Sequence, residues 1–336
     1  MSHDPILLMG GSGAIGRLSA SALRESYPDV PLLIGGRDRS KSGAAAAEIG
    51  HAEGVTIDPA ADDLGLGDRP VSAVAVFYSD PRLAGLRFAQ ARGVPHLGIS
   101  SGIYEIAPEI AAYMQRPGVA PIVLGYEWLV GATTVPALEL AKAFRRVREI
   151  TIGALVDDQD GGGPAVAEDF ERLGRMMPAA LTRRDGAYVW REGDDAKATF
   201  RAIDGTLMQA SGFSSIDVVR LATALGAENV RFDIANGVSS SRRRGEPKST
   251  EIIIELAGDD HDGRPLGTRH AVFHPGGAAP LTAIGVAMIL GRLTGLDGNP
   301  PTPAGLYFPF QVLDHGAYLA RLRESGGSLT RLDVPG

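Results

Sequence analysis

PILLMGGSGAIGRLSASALRESY, residues 5–27, decides the fold. An unbroken apolar run, Ile6 to Met9, reads as a strand buried on both faces, and a glycine turn and a helix-length segment follow it. The turn, Gly10-Gly11-Ser12-Gly13-Ala14-Ile15-Gly16, fits G-x-G-x-x-G from Gly11 and G-x-x-G-x-x-G from Gly10. Glycines permit the tight turn and a close backbone approach, while the helix start offers N–H groups and a positive dipole end; together these cradle a pyrophosphate. A strand before, a helix after, and a second apolar run, VPLLIGG (30–36), about 20 residues on supply the context that makes the pattern specific. Gly10, Gly11, Ser12, Gly13, Ala14 and Ile15 are therefore the expected phosphate-binding residues of a dinucleotide.

The end of the second strand speaks to which dinucleotide. An acidic residue there accepts bonds from a ribose hydroxyl, whereas a guanidinium forks onto a 2′-phosphate. The chain reads Gly36-Arg37-Asp38-Arg39-Ser40-Lys41. Arg37 stands at the discriminating place, Ser40 and Lys41 add donors, and Asp38, one place later, suits a helix cap. NADP(H) is the expected cofactor.

Working outward, the apolar runs VSAVAVFYS (71–79), VPHLGISSG (94–102) and APIVLG (120–125) alternate with helix-length segments. Short unalternated strands separated by helices predict a parallel sheet covered on both faces, the Rossmann doubly wound arrangement. From about residue 147 the pattern becomes strand-rich: REITIGALVDD, VRFDIANGVSSS, and STEIIIELAG with GRPLGTRHAVFH around a polar turn, AGDDHDGRPLG (257–267). That change predicts an α+β unit with a mostly antiparallel sheet. The expected division is 1–125 for the dinucleotide-binding domain, completed by C-terminal helices in about 281–336, and 126–280 for a substrate and dimerisation domain.

Composition narrows the function. The 336 residues carry a formal charge of −7 with 22% charged and 44% hydrophobic residues, so no basic surface is set up for nucleic acid. With no Cys, thiol nucleophiles, disulfides and Cys-based metal sites are excluded, and no His and carboxylate cluster has metal-ligand spacing. LTAIGVAMILG (281–291) is about half the ~20 residues that span a bilayer. The expectation is a soluble, cytoplasmic protein that binds a small molecule and no metal. G-x-S-x-G, the Gly-Lys-Ser/Thr end of a P-loop, and a Tyr with Lys four residues on are all absent from the sequence.

ILLMGGSGAIG, LLIGGRDRS, VPHLGISSG, VLGYEWLVGATTVPALELA and GLYFPFQVLDHGAYLARLRESG together resemble the saccharopine dehydrogenase-like NAD(P)-binding oxidoreductases across most of the chain. The resemblance implies an NADPH-binding Rossmann domain, an inserted α+β domain, reduction of an imine (C=N) in an interdomain cleft, and a homodimer. Two places depart from the family: Gly98 and Ile99 precede Ser100 where an acidic residue is common, and Val130-Gly131 replaces Pro-Gly. Both are on the substrate side. The same scaffold also serves carbonyl or activated C=C reduction, and a nonenzymatic NADP(H) sensor is the reading from another class.

Catalytic groups of doubly wound folds lie beyond the strand C-termini. That rule selects Tyr78 and Ser79, Ser100 and Ser101, and Tyr126, Glu127 and Trp128. Tyr78, Ser79 and Ser100 are expected along the nicotinamide and its ribose. Tyr126 is a candidate proton donor, Glu127 a candidate partner for a substrate ammonium or iminium, and His274, at a strand end, a candidate acid. Ser239 to Arg244, SSSRRR, reads as a solvated basic loop.

Overall fold

The structure, a computed structural model, describes residues 3–100, 102–161 and 163–333. It divides into two compact units, residues 1–126 with 282–314, and residues 127–281 with 315–336.

In the first unit the chain alternates β1 (Ile6–Met9), α1 (Ala14–Ser26), β2 (Leu32–Gly36), α2 (Arg39–Ile49), β3 (Ala52–Thr56), β4 (Ala73–Val76), α3 (Ala84–Arg92), β5 (His96–Gly98), α4 (Ile106–Gln115) and β6 (Pro121–Leu124). The strands are apolar throughout because helices cover both faces; every residue of β1, β4 and β6 is buried. All pairings are parallel, and β1 lies between β2 and β4, with Leu8 opposite both Ile34 and Ala75. The order from β3 through β2, β1, β4, β5 and β6 places the switch of direction between β1 and β4, where such sheets open a crevice for a ligand.

The second unit starts with α5 (Thr134–Ala141), β7 (Phe144–Asp157), α6 (Pro164–Met176), β8 (Ala180–Arg184), β9 (Ala187–Arg191), β10 (Lys197–Arg201), β11 (Leu207–Gly212), α7 (Asp217–Leu225) and β12 (Asn229–Gly237). Next come α8 (Ser240–Arg243), β13 (Thr250–Asp260), β14 (Pro265–His274) and α9 (Ala278–Thr294), whose greater part belongs to the first unit. The chain then gives β15 (Gly305–Tyr307), which extends the first sheet beside β6, followed by α10 (Pro309–Val312), α11 (His315–Glu324) and β16 (Ser328–Leu332). The nine-stranded second sheet is antiparallel except where β12 runs parallel to β7. Trp128 packs edge-on against Phe213 at 5.6 Å and beside Phe232 at 5.5 Å between ring centroids, anchoring one face of that sheet.

Three details differ from the sequence expectation. The tail does not all return to the first unit: β16 pairs with β14, Val272 opposite Leu329, so residues after 314 go with the second. The β13–β14 pairing continues to Asp259 opposite Pro265, which shortens the polar turn to the hairpin tip. SSSRRR forms the short helix α8, and its arginines are paired: Arg242 with Asp157 at 2.8 Å, Arg243 with Asp204 at 2.6 Å, Arg244 with Glu246 at 2.9 Å. No described helix is long and apolar enough to cross a membrane, and the described residues hold no His and carboxylate group able to ligate a metal.

Candidate active site

The glycine loop is shaped by contacts that exclude side chains. Gly10 has φ +85°, in the left-handed region. A Cβ at Gly16 would lie 2.6 Å from the Gly10 carbonyl oxygen and equally close to Gly11 Cα, so only glycine lets α1 begin this close to β1. Gly13 is the residue before α1 and has no side chain to cap it, and the first turn of α1 contains no acidic residue. The N–H groups of a helix's first turn have no acceptor within the helix, so this end of α1 presents donors and positive potential to an anion.

Arg37 is exposed between β2 and α2. Asp38 is the cap of α2, its carboxylate accepting from the amides of Ser40 at 2.9 Å and Lys41 at 3.2 Å. That occupation removes Asp38 from competition with Arg37 and leaves the Ser40 and Lys41 side chains exposed beside it.

Tyr78 lies against the loop: its ring is 3.0 Å from where a Gly10 Cβ would stand. Burial, then Asp80, push its phenol up to about 12, with Arg37 pulling the other way. Tyr78 and Ser100 line one pocket with Asp80, His96, Glu109 and Tyr126, at the C-terminal ends of β4, β5 and β6. Tyr126 donates its phenolic hydrogen bond to Glu109, a residue that sequence reasoning missed. Ser79 is half-buried and not among that lining, and Ser101 is outside the described residues.

Glu109 reverses the usual logic of a helix face. In α4 it is 6% exposed and the only residue fully buried, while Met114 on the same helix is 69% exposed. His96, also buried, is driven down to about 3 by desolvation and is neutral at physiological pH. The signal available in the sequence was an acidic residue set in the apolar run IAPEIAAYM.

The other two catalytic candidates face inward. Glu127 is 2% exposed, accepts from Thr134 Oγ1 at 2.6 Å and is electrostatically coupled to Arg220, all within the second unit. His274 is 4% exposed; its Nδ1 accepts from the Gly276 amide at 3.0 Å, and burial lowers its basicity. A strand end locates a residue along the sheet, but which face its side chain takes depends on packing. Neither lines the pocket at the ends of β4, β5 and β6. A larger cavity of about 500 Å³ in the second unit is lined by charged groups of both signs, among them the pair Arg184 and Asp195 at 3.0 Å, and by Arg191, which bonds Asp233 at 2.7 Å.

The doubly wound parallel sheet with its glycine loop, and the α+β unit, have a saccharopine dehydrogenase-like fold by likeness to solved structures. No family model matches the chain, and no curated protein matches it. Among solved structures, apo saccharopine dehydrogenase (L-Glu forming) from Saccharomyces cerevisiae is similar over 99% of this chain and 100% of that one, at 14% identity and TM-score 0.66. Homospermidine synthase from Legionella pneumophila, in complex with NAD, is similar over 99% and 92%, at 11% identity and TM-score 0.65. An oxidoreductase from Agrobacterium radiobacter in complex with NAD+, L-tartaric acid and magnesium follows, over 97% and 96% at 12% identity and TM-score 0.50.

Proposed function

We propose that this protein is an NADP(H)-dependent oxidoreductase that reduces a C=N bond of a small molecule, or oxidises the corresponding amine. The carrying observation is the fit of the glycine loop to a pyrophosphate. A Cβ at Gly11 or Gly16 would collide with backbone, Gly10 takes a left-handed φ, Gly13 lies close to the Gly10 carbonyl, and the uncapped start of α1 faces the same space. Ser12, Ala14 and Ile15 complete the cradle, and Arg37, Ser40 and Lys41 hold the 2′-phosphate. Tyr78, Ser79 and Ser100 follow the dinucleotide toward its nicotinamide end. Bound there, the dinucleotide supplies or takes up a hydride, and the protein's part is to orient the reactants.

Saccharopine dehydrogenase among the structural neighbours supports an oxidoreductase, and the NAD complex of homospermidine synthase supports a nicotinamide dinucleotide. The chemistry is assigned to Tyr126 and Glu109 rather than to Glu127 or His274, because the first pair lines the pocket at the strand ends. A fluorescence titration with NADPH and NADH side by side tests the reading. Tighter binding of NADPH supports it, and binding of neither removes it. Tight NADPH binding without oxidation of the cofactor by any imine, ketone or enone would identify a sensor instead.

A further inference from the structure

We propose that the cavity of about 500 Å³ in the second unit is a binding site for a phosphate-bearing small molecule, held by Arg231, Arg191 and Thr182. Every residue around it belongs to the second unit, so the site shares no residue with the glycine loop and is independent of the oxidoreductase reading.

One face of the sheet brings the three side chains together. Residues paired across neighbouring strands share a face, as do residues two apart on one strand. Arg191 on β9 stands opposite Ala180 on β8, so Thr182 is on its side of the sheet. Arg191 reaches Asp233 on β12 at 2.7 Å, and Arg231 is two residues from Asp233 on the same strand. Three strands thus each give one donor residue to the same wall, and all three residues line the cavity.

Those donors lack acceptors. Arg191 is 3% exposed; its Nη2 donates to the Asp233 carboxylate and, at 3.3 Å, to the Phe232 carbonyl, while its buried Nε meets no acceptor. The Thr182 hydroxyl, on a residue 4% exposed, has no partner either. Arg231 uses Nε alone, toward Thr151 at 3.3 Å and Asp233 at 3.4 Å, so its two terminal nitrogens have no acceptor among the described residues. A buried donor without an acceptor costs about 1–3 kcal/mol. Two such donors on one cavity wall are explained by a ligand that brings the oxygens. Bare backbone supports the arrangement: a Cβ on Gly212 would lie 2.7 Å from Arg191 Nη2, so the missing side chain there is the room that the guanidinium occupies.

Charge selects the ligand. Two guanidiniums share the single carboxylate of Asp233, which leaves the inner wall with one excess positive charge. Nearer solvent, Arg184 bonds Asp195 at 3.0 Å and Lys197 bonds Asp194 at 2.6 Å; all four are exposed, and the pairs add no net charge. Glu149, the other carboxylate of the lining, is exposed as well. Arg183 takes the opposite face, with its guanidinium 5.4 Å from the centre of the Tyr188 ring. Guanidinium forks match phosphate oxygens, and donors on three strands match the three free oxygens of a phosphomonoester, where a carboxylate offers two. The volume falls within the roughly 300–1,000 Å³ of small-molecule sites and exceeds what a bare phosphate needs.

The test titrates the full chain calorimetrically with inorganic phosphate, glycerol 3-phosphate and succinate at fixed ionic strength and about pH 7.5, where phosphate is mainly a dianion. Both phosphates should bind, the ester at least as tightly as the inorganic ion, and succinate at least about tenfold more weakly. Saturating NADPH, which fills the glycine loop, should leave the phosphate affinity unchanged. Arg231→Gln, at a half-exposed position, should weaken phosphate at least about tenfold, and Thr182→Val, of nearly the same shape, about fivefold. Phosphate that does not bind, that NADPH displaces, or that Arg231→Gln leaves at wild-type affinity overturns the inference. So does exclusion of the ester, or succinate bound as tightly as the ester. The wild-type comparison of ligands decides even where a variant does not fold. NADPH that does not bind, with phosphate binding intact, defeats the oxidoreductase reading and leaves this site standing.

Discussion

Gly98 and Tyr126 share one volume: a Cβ on Gly98 would lie 2.8 Å from the Tyr126 phenolic oxygen. The bare end of β5 is what lets the phenol reach Glu109 on α4.

Gly98→Ala is therefore expected to displace Tyr126 while leaving the glycine loop alone. Overpacking of this kind costs about 1–3 kcal/mol, so a lowered melting temperature with folding retained is the expected stability result. NADPH affinity should stay within about twofold, and turnover of the cyclic imine 1-pyrroline should fall, because the pair that forms the pocket is disturbed. Retained turnover in a folded Gly98→Ala protein would show that the Tyr126–Glu109 arrangement is not needed for it.

Arg37→Ala separates the two dinucleotides. Arg37 is exposed, so the substitution has no core to disturb. Losing a guanidinium–phosphate fork costs about 1.5–3 kcal/mol, or roughly 10- to 150-fold in affinity. NADPH should weaken by that factor and NADH hardly at all, read by the same fluorescence titration. Equal losses for both would mean that Arg37 organises the loop and does not read the phosphate.

Local chemistry explains what the sequence made legible. The glycine loop, β1 and α1 are contiguous, and steric limits at Gly10 and Gly16 leave a pattern visible in one line of text. The second sheet was legible as strand-rich alternation, but β16 was not, since its five residues earn their place only by pairing with β14. Glu109 and Tyr126 are 17 residues apart and meet through the packing of α4 beside β5 and β6. No spacing rule reports such a meeting. Glu127 and Tyr126 are neighbours in sequence, yet one side chain joins the second unit's interior and the other lines the first unit's pocket.

Asp217 should leave a signature in the pH dependence of stability. It is fully buried at the start of α7, accepting from the Trp128 amide at 2.8 Å, with the Ser215 hydroxyl also donating to it. Desolvation pushes its carboxyl up to about 6 from an ordinary 3.8, opposed by those bonds and by Arg220. The folded state then holds a proton between about pH 4 and 6 that the unfolded chain releases, so this group's contribution to stability falls as pH rises through that window. Two pKa units correspond to about 3 kcal/mol as an upper figure. Asp217→Asn, which keeps an acceptor, should match wild type near pH 4 and gain on it as pH rises to 7, measured by urea unfolding at each pH. A constant difference across the range would place the titration elsewhere.

Two glutamates of the chain should fail in opposite ways when replaced. Glu127 is buried with Thr134 and within the field of Arg220, whose own guanidinium burial lowers to about 10 and Glu127 supports. Removing the buried Glu127 carboxylate leaves Thr134 and the partly buried Arg220 without its support and costs about 1–3 kcal/mol. Glu127→Ala should therefore unfold at markedly lower urea, and whatever protein remains folded should bind NADPH and turn over 1-pyrroline as wild type does. Glu109→Ala should show the reverse: loss of turnover on 1-pyrroline in a protein that stays folded. Urea midpoints and turnover rates measured on the same two proteins decide between them. Crossed results, with Glu127→Ala stable but inactive, would return the substrate-holding role to Glu127 and take it from Glu109.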